Sequence, residues 1–217
     1  MAFSSAASEL GESPAPISKS EYRERQEKLY SKLSNNSVLI LCSSPTTVRS
    51  NDVHHPYRTS SDLLYLTGWS EPDSVMLATK KNGTWQTMLF LQPRNTELEI
   101  WEGRRPGLEG ALEGWAIDSS FSIDDLNGLL KKELECVNIV YHSVGLNSNV
   151  DQIVEDSINS KTRSRQQIGE GPTQRIDPSE LIAEMRLIKS DAEINKSILQ
   201  VEKRSKRVYS KSFTSSA

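Results

Sequence analysis

The 217-residue sequence lacks the features that mark several large classes of protein. Hydrophobic residues make up 35% of it, and no apolar run approaches the roughly 20 residues that a membrane-spanning helix needs. The formal net charge is −3 at pH 7, so there is no overall attraction to the phosphate backbone of nucleic acids. We therefore expect a soluble globular protein that binds neither membranes nor nucleic acid.

Signatures of common catalytic sites are also missing from the sequence. It contains no HExxH, CxxC or GxSxG motif and no glycine-rich phosphate loop. Any metal site would draw on His54, His55 or His142, but neighbouring residues such as the first two point in different directions in any regular structure. We expect this pair to be polar loop residues, and we expect no metal ion and no catalytic residue in this chain.

Two cysteines, Cys42 and Cys136, lie far apart in the sequence, each within an apolar stretch. A reduced cysteine in such a setting behaves as a small hydrophobic residue, so we expect buried thiols rather than a disulfide or a metal site. This favours a reducing compartment, the cytoplasm, with the mitochondrion as the alternative. The first 17 residues are rich in Ser, Ala, Pro and Glu and contain no arginine, which predicts a disordered tail rather than a targeting sequence.

Hydrophobic periodicity predicts the secondary structure of the first half of the chain. Residues 18–33 have apolar residues at helical spacing, with a serine placed to cap the first turn. Residues 38–42 are uniformly apolar, which predicts a strand that is buried on both faces. Three further strands are predicted, of which the last two are joined by a hairpin turn at Asn82 and Gly83: residues 63–69, 74–79 and 85–91.

The second half of the sequence predicts mainly helices. One strand is expected over residues 137–141 and one loop over residues 160–171. Helices are predicted over residues 108–115, 122–134, 150–158 and 177–188, and from residue 190 onward. This order of elements predicts an α/β fold in which a mixed sheet is flanked by helices on both sides.

Two segments of the sequence are unusual for connections between strands. Residues 49–72 and 99–107 carry aromatic, arginine and aspartate residues where loops usually carry small polar ones. A purely structural interpretation has Arg58 pair with Asp62 at the start of a strand and has Trp101 cover the edge of the core. The functional interpretation makes both segments part of a site.

Four sequence motifs and one helical segment occur in an order that is typical of one enzyme family. The motifs are RSNDVHHPYRTSSDLLYLTGWSEPDSVMLATK, LFLQPRNTELEIWEGRRPG, VNIVYH and EMRLIKSDAEI, with the helical segment before the third. Between residues 17 and 201 the sequence thus resembles the N-terminal domain of the aminopeptidase P family, the Xaa-Pro aminopeptidases related to prolidase and creatinase. The run Trp-x-Gly-Arg-Arg-x-Gly favours aminopeptidase P over prolidase.

The resemblance implies a mixed α/β domain with an RNase H-like arrangement, packed against a larger C-terminal catalytic domain. In this family the catalytic domain holds two divalent metals, commonly manganese, on two Asp, one His and two Glu. The implied organisation is a disordered tail over residues 1–17, the N-terminal domain over residues 18–188, and a hinge with the start of a truncated catalytic domain over residues 189–217. The two metals are expected in the catalytic domain and not in this chain.

The resemblance also implies roles for particular residues. Asp52 and Trp101 align with positions near the active-site mouth in the oligomer, where the indole would offer an apolar wall to proline. Ion pairs that support the structure or an interface are expected from four further residues: Arg58, Asp62, Arg104 and Arg105.

Three functions remain open at this point. The first is the non-catalytic N-terminal domain of an Xaa-Pro aminopeptidase, with a catalytic domain or further copies of the chain as its partner. The second is a stand-alone regulatory or binding protein that has lost the catalytic domain. The last predicted helix separates the two, because an exposed stripe of Ile194, Ile198 and Val201 would imply a partner. The third is a small hydrolase that uses Asp52, His54 and Asp62, although no nucleophile or oxyanion feature accompanies them.

Overall fold

The computed structural model describes residues 17–51, 53–97, 99–163, 171–198 and 201. Both helices and strands occur along these residues, together with a short 3₁₀ turn at Ile123–Asp125. The strands are β1 Ser37–Cys42, β2 Val48–Ser50, β3 Val53–His54, β4 Val75–Lys81, β5 Thr84–Leu91, β6 Ser119–Ser122, β7 Ile139–His142 and β8 Gln174–Ile176. The helices are α1 Lys19–Tyr30, α2 Ser61–Thr67, α3 Glu99–Glu102, α4 Gly107–Gly114, α5 Leu126–Glu135, α6 Ser148–Arg163 and α7 Ser179–Leu187, followed by a helix over residues 191–198.

Six of these strands form one mixed sheet in the order β6-β5-β4-β1-β7-β8. Strand β4 pairs antiparallel with both of its neighbours, whereas β6 pairs parallel with β5, and β7 and β8 continue parallel from β1. The two short strands β2 and β3 form a separate ribbon. The prediction of a mixed α/β sheet is confirmed.

The central strand β1 explains how the sheet acquires two cores. All six of its residues are buried, as a strand covered on both faces requires. Because successive side chains point to opposite faces, Leu39 and Leu41 belong to one apolar cluster and Val38 and Ile40 to the other. The run is continuously apolar because helices cover the sheet on both sides at this strand.

Helices from different parts of the chain complete the two clusters. The first cluster contains buried residues of α1, α2, α4 and α7, including Leu29, Leu66 and Ile182. The second contains buried residues of α5 and α6, including Leu130 and Val154. The apolar stripes of these helices therefore face the sheet, and their polar sides form the surface.

The turn between β4 and β5 has the predicted hairpin geometry. Asn82 and Gly83 both have positive φ, at 52° and 84°. This is the backbone of a two-residue turn whose twist matches that of the flanking strands, and Asn-Gly is the pair that adopts it most readily. The pairing of Lys81 with Thr84 follows directly.

The prediction of a strand over residues 63–69 is wrong. Residues Ser61–Thr67 form helix α2, and Gly68 ends it with a left-handed φ of 74°. A short apolar run fits a buried strand and a buried helix equally well. Gly68 was a sequence signal for the end of a helix, because glycine is the residue that most often follows a helix in the left-handed conformation.

Two other expectations also change. Cys42 is a buried free thiol, as predicted, but Cys136 lies exposed just after α5, so the prediction of a buried Cys136 is wrong. Helix α6 runs to Arg163 and thus includes the first part of the predicted loop, while residues 164–170 lie outside the described residues.

Candidate functional site

The two unusual segments of the sequence lie at the same end of the sheet. Strands β1 and β5 both run antiparallel to β4, so they end where β4 begins. Residues 43–60 follow β1 and residues 92–106 follow β5, while residues 68–74 lead into β4. The topology of the sheet thus brings together segments that are distant in sequence, and this end is our candidate site.

The first segment contains the ribbon of β2 and β3, which stands away from the core. Every residue of both strands is exposed, including the apolar Val48 and Val53. His54 and His55 are exposed on the same ribbon. Asp52, which was predicted to lie at a substrate entrance, is outside the described residues.

The second segment contains the short helix α3. Arg94 donates from Nε and Nη2 to the two carboxylate oxygens of Glu99, at 2.8 and 2.9 Å. These hydrogen bonds are the largest cause of a lowered pKa for Glu99. The backbone of Trp101 lies in α3, but its side chain is outside the description, so its predicted role stays a prediction.

A small cleft joins the two segments. It is lined by Trp69 and Glu71 from one segment and by Arg105 and Pro106 from the other. Burial raises the pKa of Glu71, and the nearby charge of Arg105 partly offsets this. The predicted Arg105 thus lies beside a half-buried carboxylate, whereas the predicted Arg104 is exposed.

The predicted pair of Arg58 and Asp62 is not formed. Arg58 is exposed and donates both of its Nη groups to Ser61 Oγ, each at 3.1 Å. Asp62 instead accepts a hydrogen bond from Arg186 Nη1 at 3.2 Å. Burial raises the pKa of the Asp62 carboxyl, and Arg186 acts against that rise. Asp62 therefore ties α2 to α7, the last helix before the chain leaves the sheet.

The third histidine is also at this end of the sheet. His142 is buried at the end of β7, where Nε2 lies 2.7 Å from Asp151 Oδ1. Asp177 nearby accepts hydrogen bonds from the Ser143 hydroxyl and the Ser179 backbone, and its pKa is lowered. Among the described residues, no group of three or more His, Cys, Asp or Glu side chains could hold a metal ion.

These contacts limit the chemistry that the described residues can perform. The half-buried Asp62 and Glu71 face arginines, and Asp151 faces the buried His142. Such pairs support loops and hold helices together. Of the residues in the small-hydrolase hypothesis, Asp62 is hydrogen-bonded to Arg186 and Asp52 lies outside the described residues, so the hypothesis stays a hypothesis.

A second notable surface lies where the chain leaves the sheet after α7. Leu187 and Ile188 are 78% and 87% exposed, and Ile194, Ile198 and Val201 are exposed beyond them. We call these five residues the exit face. Several exposed large apolar residues within one short segment mark an interaction surface more often than scattered ones do.

Sequence reasoning missed several residues that the structure brings forward. Glu71 and Arg186 were inside the motifs quoted above, but nothing in their local sequence indicates their partners. Arg25, treated as an ordinary polar residue of α1, is one of the few buried charged residues in the described part of the chain. A polar residue at a helical position that faces the core was the available signal.

Comparison with known proteins identifies the domain. The sequence profile of the aminopeptidase P N-terminal domain matches residues 22–141, from α1 through β7. The chain belongs to this family. The match covers the central strands of the sheet and both unusual segments, so the candidate site is part of the aminopeptidase P N-terminal domain itself.

Full-length relatives place this domain in larger proteins. The Xaa-Pro aminopeptidase of Escherichia coli is 32% identical over 179 residues, which are 82% of this chain and 41% of the relative. Intermediate cleaving peptidase 55 of Saccharomyces cerevisiae is 31% identical over 94% of this chain and 40% of its own length. Human Xaa-Pro aminopeptidase 3 is 28% identical, with 95% and 42% covered. The chain thus spans about two fifths of the curated relatives it matches.

Solved structures agree with the sequence comparison. Aminopeptidase P from Escherichia coli in its low-pH form superposes with a TM-score of 0.75 at 32% identity, covering 83% of this chain and 41% of that chain. Proline aminopeptidase P II from Yersinia pestis gives a TM-score of 0.74 at 32% identity over 82% and 41%. A further Escherichia coli structure is a zinc-substituted form with product, as befits a family of metalloenzymes.

Proposed function

We propose that this chain serves as the non-catalytic N-terminal domain of an Xaa-Pro aminopeptidase, a metallopeptidase that releases the residue before a proline. In this proposal the domain packs against a catalytic domain and shapes the entrance to its active site. The observation that carries the proposal is the combination of the family match with the exit face. An apolar surface where the chain leaves the domain fits a larger domain that follows it.

The proposal divides the chain at the exit. The domain proper comprises residues 18–188, preceded by a tail over residues 1–17, and residues 189–217 form the hinge and the beginning of a catalytic domain. Asp62 and Arg186 support this division, because their ion pair fastens α7 to the domain shortly before the hinge. The exposed Ile194 and Ile198 then belong to the packing surface of the second domain rather than to the core of the first.

The metals that this chemistry requires belong outside the described residues. Activation of water for attack on an amide needs several convergent oxygen and nitrogen ligands around each ion. The described residues offer no such cluster, so their donor set does not fit a two-metal centre. We therefore assign the metals, with manganese as the expected ion, to the catalytic domain.

Roles at the entrance and at interfaces follow from the candidate site. We propose that Asp52 and Trp101 line the entrance and that Arg58 and Arg104, which are both exposed, contact a neighbouring domain or a second copy of the chain. Arg105 supports the loops through its position beside Glu71. The exposed apolar Val48 and Val53 on the ribbon favour a homo-oligomer as a further partner.

The relatives of the chain bear on the cell compartment in which it works. No helix among the described residues has the length and apolar character needed to cross a bilayer. We propose the cytoplasm as the compartment of this chain. The mitochondrion is the alternative, because one relative is the mitochondrial intermediate cleaving peptidase 55 of Arabidopsis thaliana.

The experiment that tests the proposal compares the chain alone with a chimera. The purified 217-residue chain is assayed on a peptide with proline as its second residue, with Mn²⁺ added, and we expect no release of the first residue. The chimera carries residues 17–201 in place of the matching part of the Escherichia coli Xaa-Pro aminopeptidase. We expect it to cleave the same peptide faster than that enzyme's catalytic domain does alone.

Two outcomes would count against the proposal. One is metal-dependent release of the first residue by the chain alone, in proportion to its concentration. The other is a folded chimera that is no more active than the isolated catalytic domain. Within an active chimera, Trp101→Ala tests the entrance, and we expect a higher KM with little change in kcat, since an apolar wall contributes mainly to binding.

A further inference from the structure

The helix over residues 191–198 is held to the domain by few apolar contacts. Ile194 and Ile198 are 46% and 52% exposed, so its largest apolar side chains do not pack on the sheet. Ala192 is the residue of this helix that contacts an apolar cluster, beside Ile17 and Tyr22. So small a contact does not fix the direction of a helix, and other interactions must do so.

Arg25 supplies these interactions from helix α1. The residue is only 7% exposed. Its guanidinium carbon lies 4.4 Å from the centre of the Tyr65 ring and 5.3 Å from that of Tyr22. Nη1 donates to the Tyr65 carbonyl at 3.0 Å, Nη2 donates to Glu21 at 2.5 Å, and the same Nη2 lies 3.5 Å from Glu193 Oε2. One buried charge thus contacts α1, α2 and the helix over 191–198.

The two carboxylates that contact Arg25 also bond to Ser190, at the start of the helix over residues 191–198, which we call the exit helix. The Ser190 hydroxyl donates to Glu21 Oε1 at 2.6 Å and accepts from the Glu193 backbone at 3.2 Å. Glu193 Oε2 in turn accepts from the Ser190 backbone at 3.1 Å. Ser190 and Glu193 therefore form a capping box, and Arg25 lies against it.

We propose that Arg25 is a clamp that fixes the direction in which residues 190–198 leave the domain. Removing Arg25 would leave Glu21 and Glu193, whose side chains are 20% and 19% exposed, without the guanidinium that contacts both of them. Arg25 is therefore a positioning residue for the segment that follows α7. Its consequence for catalysis rests on the proposed function, but the clamp itself does not.

Hydrogen exchange of the 217-residue chain tests the clamp, with Arg25→Met as the main variant. We expect the backbone amides of residues 194–198 to exchange about tenfold faster or more, because the exit helix detaches without global unfolding. Amides of β1 report on the rest of the domain and should change much less. Arg23→Gln is the matched control, since Arg23 is on the same helix but pairs with Asp118, at 2.8 Å. We expect it to leave residues 194–198 unchanged.

A second variant keeps the test decisive if Arg25→Met does not fold. Glu193→Gln retains an oxygen for the capping box but removes the charge that faces Arg25. We expect a severalfold increase in exchange at residues 194–198, with β1 unchanged. Unchanged exchange in this variant, or in a folded Arg25→Met variant, overturns the proposal.

The two proposals can fail separately. The exchange experiment uses the chain without any catalytic domain, so an inactive chimera does not affect its outcome. If the clamp is correct and the proposed function also holds, Arg25→Met in the chimera lowers activity while Arg23→Gln does not. If exchange is unchanged but the chimera is active, the clamp is wrong and the proposed function stands.

Discussion

Gly68 shows how a single residue can carry both a turn and a close contact. It follows α2 with a φ of 74°, and a Cβ atom at this position would lie 2.7 Å from Cζ of the buried Tyr22. Gly68→Ala therefore meets both backbone strain and a clash with a ring that cannot move freely. We expect it to lower the free energy of unfolding by about 1–3 kcal/mol, measured by urea denaturation.

The control for this substitution is a glycine without either constraint. Gly128 lies inside α5, and a Cβ atom there would meet nothing within 4 Å. Gly128→Ala should stabilise the protein by about 0.5–1 kcal/mol, since alanine loses less backbone entropy in a helix. A loss of stability from both substitutions would contradict the role assigned to Gly68.

Glu71 gives a prediction for the pH dependence of stability. Burial raises the pKa of its carboxyl in the folded protein. Ionised Glu71 therefore destabilises the fold at neutral pH, and this penalty disappears as the pH falls through the folded-state pKa. We expect Glu71→Gln to raise Tm at pH 7, with an advantage that shrinks toward about pH 4, in thermal unfolding followed by circular dichroism.

Glu99 provides a comparison of opposite sign. Its pKa is lowered, chiefly by the hydrogen bonds from Arg94. Ionised Glu99 thus contributes stability that is present near neutral pH and is lost as the pH falls through its folded-state pKa. Glu99→Gln should lower Tm at pH 7. If both glutamate substitutions shift Tm in the same direction, the different environments assigned to the two carboxyls are wrong.

At the scale of elements, strand β1 joins the two cores. Leu39 and Ile40 are fully buried on opposite faces of the sheet. We expect Leu39→Ala and Ile40→Ala each to cost about 2–5 kcal/mol, since each leaves a cavity against a layer of helices. Val48→Ala, in an exposed strand of the ribbon, should change stability by less than about 0.5 kcal/mol. Guanidinium denaturation gives the unfolding free energy of each variant. A loss from Val48→Ala as large as that from the two β1 variants would contradict this assignment of the core.

Elements with a continuous pattern of their own could be predicted from the sequence. The short strands β2, β3, β6 and β8 were not anticipated, whereas strand β1 and the Asn82 and Gly83 turn were predicted correctly. Helix α2 was not, because seven residues are too few for a helical period to stand out from an apolar run. The exposed Cys136 was missed because an apolar stretch near a helix end does not reveal which residues face solvent.

The contacts of the candidate site could not be predicted in the same way. Asp62 and Arg186 are 124 positions apart, and Arg25 reaches a carbonyl 40 positions away. Such pairs depend on how helices are placed over the sheet, which no local pattern encodes. The sequence motifs predicted the family and the segments of interest, whereas the partners of individual side chains required the fold.

At the scale of the whole molecule, substitutions in the exit face should affect assembly with a catalytic domain but not the stability of the chain itself. We expect the double substitution Ile194→Ser and Ile198→Ser to change the unfolding free energy of the 217-residue chain by less than about 1 kcal/mol, because both side chains are exposed. In the chimera the same change should lower activity, since it removes apolar area from the surface that we propose for packing of the second domain. Peptidase assays and urea denaturation measure the two effects.

Leu112 supplies the control for this double substitution. It is exposed on α4 and does not belong to the exit face. Leu112→Ser should affect neither the unfolding free energy nor the activity of the chimera by much. An equal loss of activity from Leu112→Ser would show that the chimera responds to any lost apolar surface and not to the exit face.

The small apolar cluster at the exit also contains the first described residue of the chain. Ile17 and Ala192 pack there together with Tyr22 and Ala116. Ile17 and the helix over residues 191–198 therefore meet at the same small cluster. A domain built in this way is a cassette that a longer protein can gain or exchange without a connection running over its surface. It follows that Ile17 and the helix over residues 191–198 share one point of attachment to the domain, so a change in the packing of this cluster affects both.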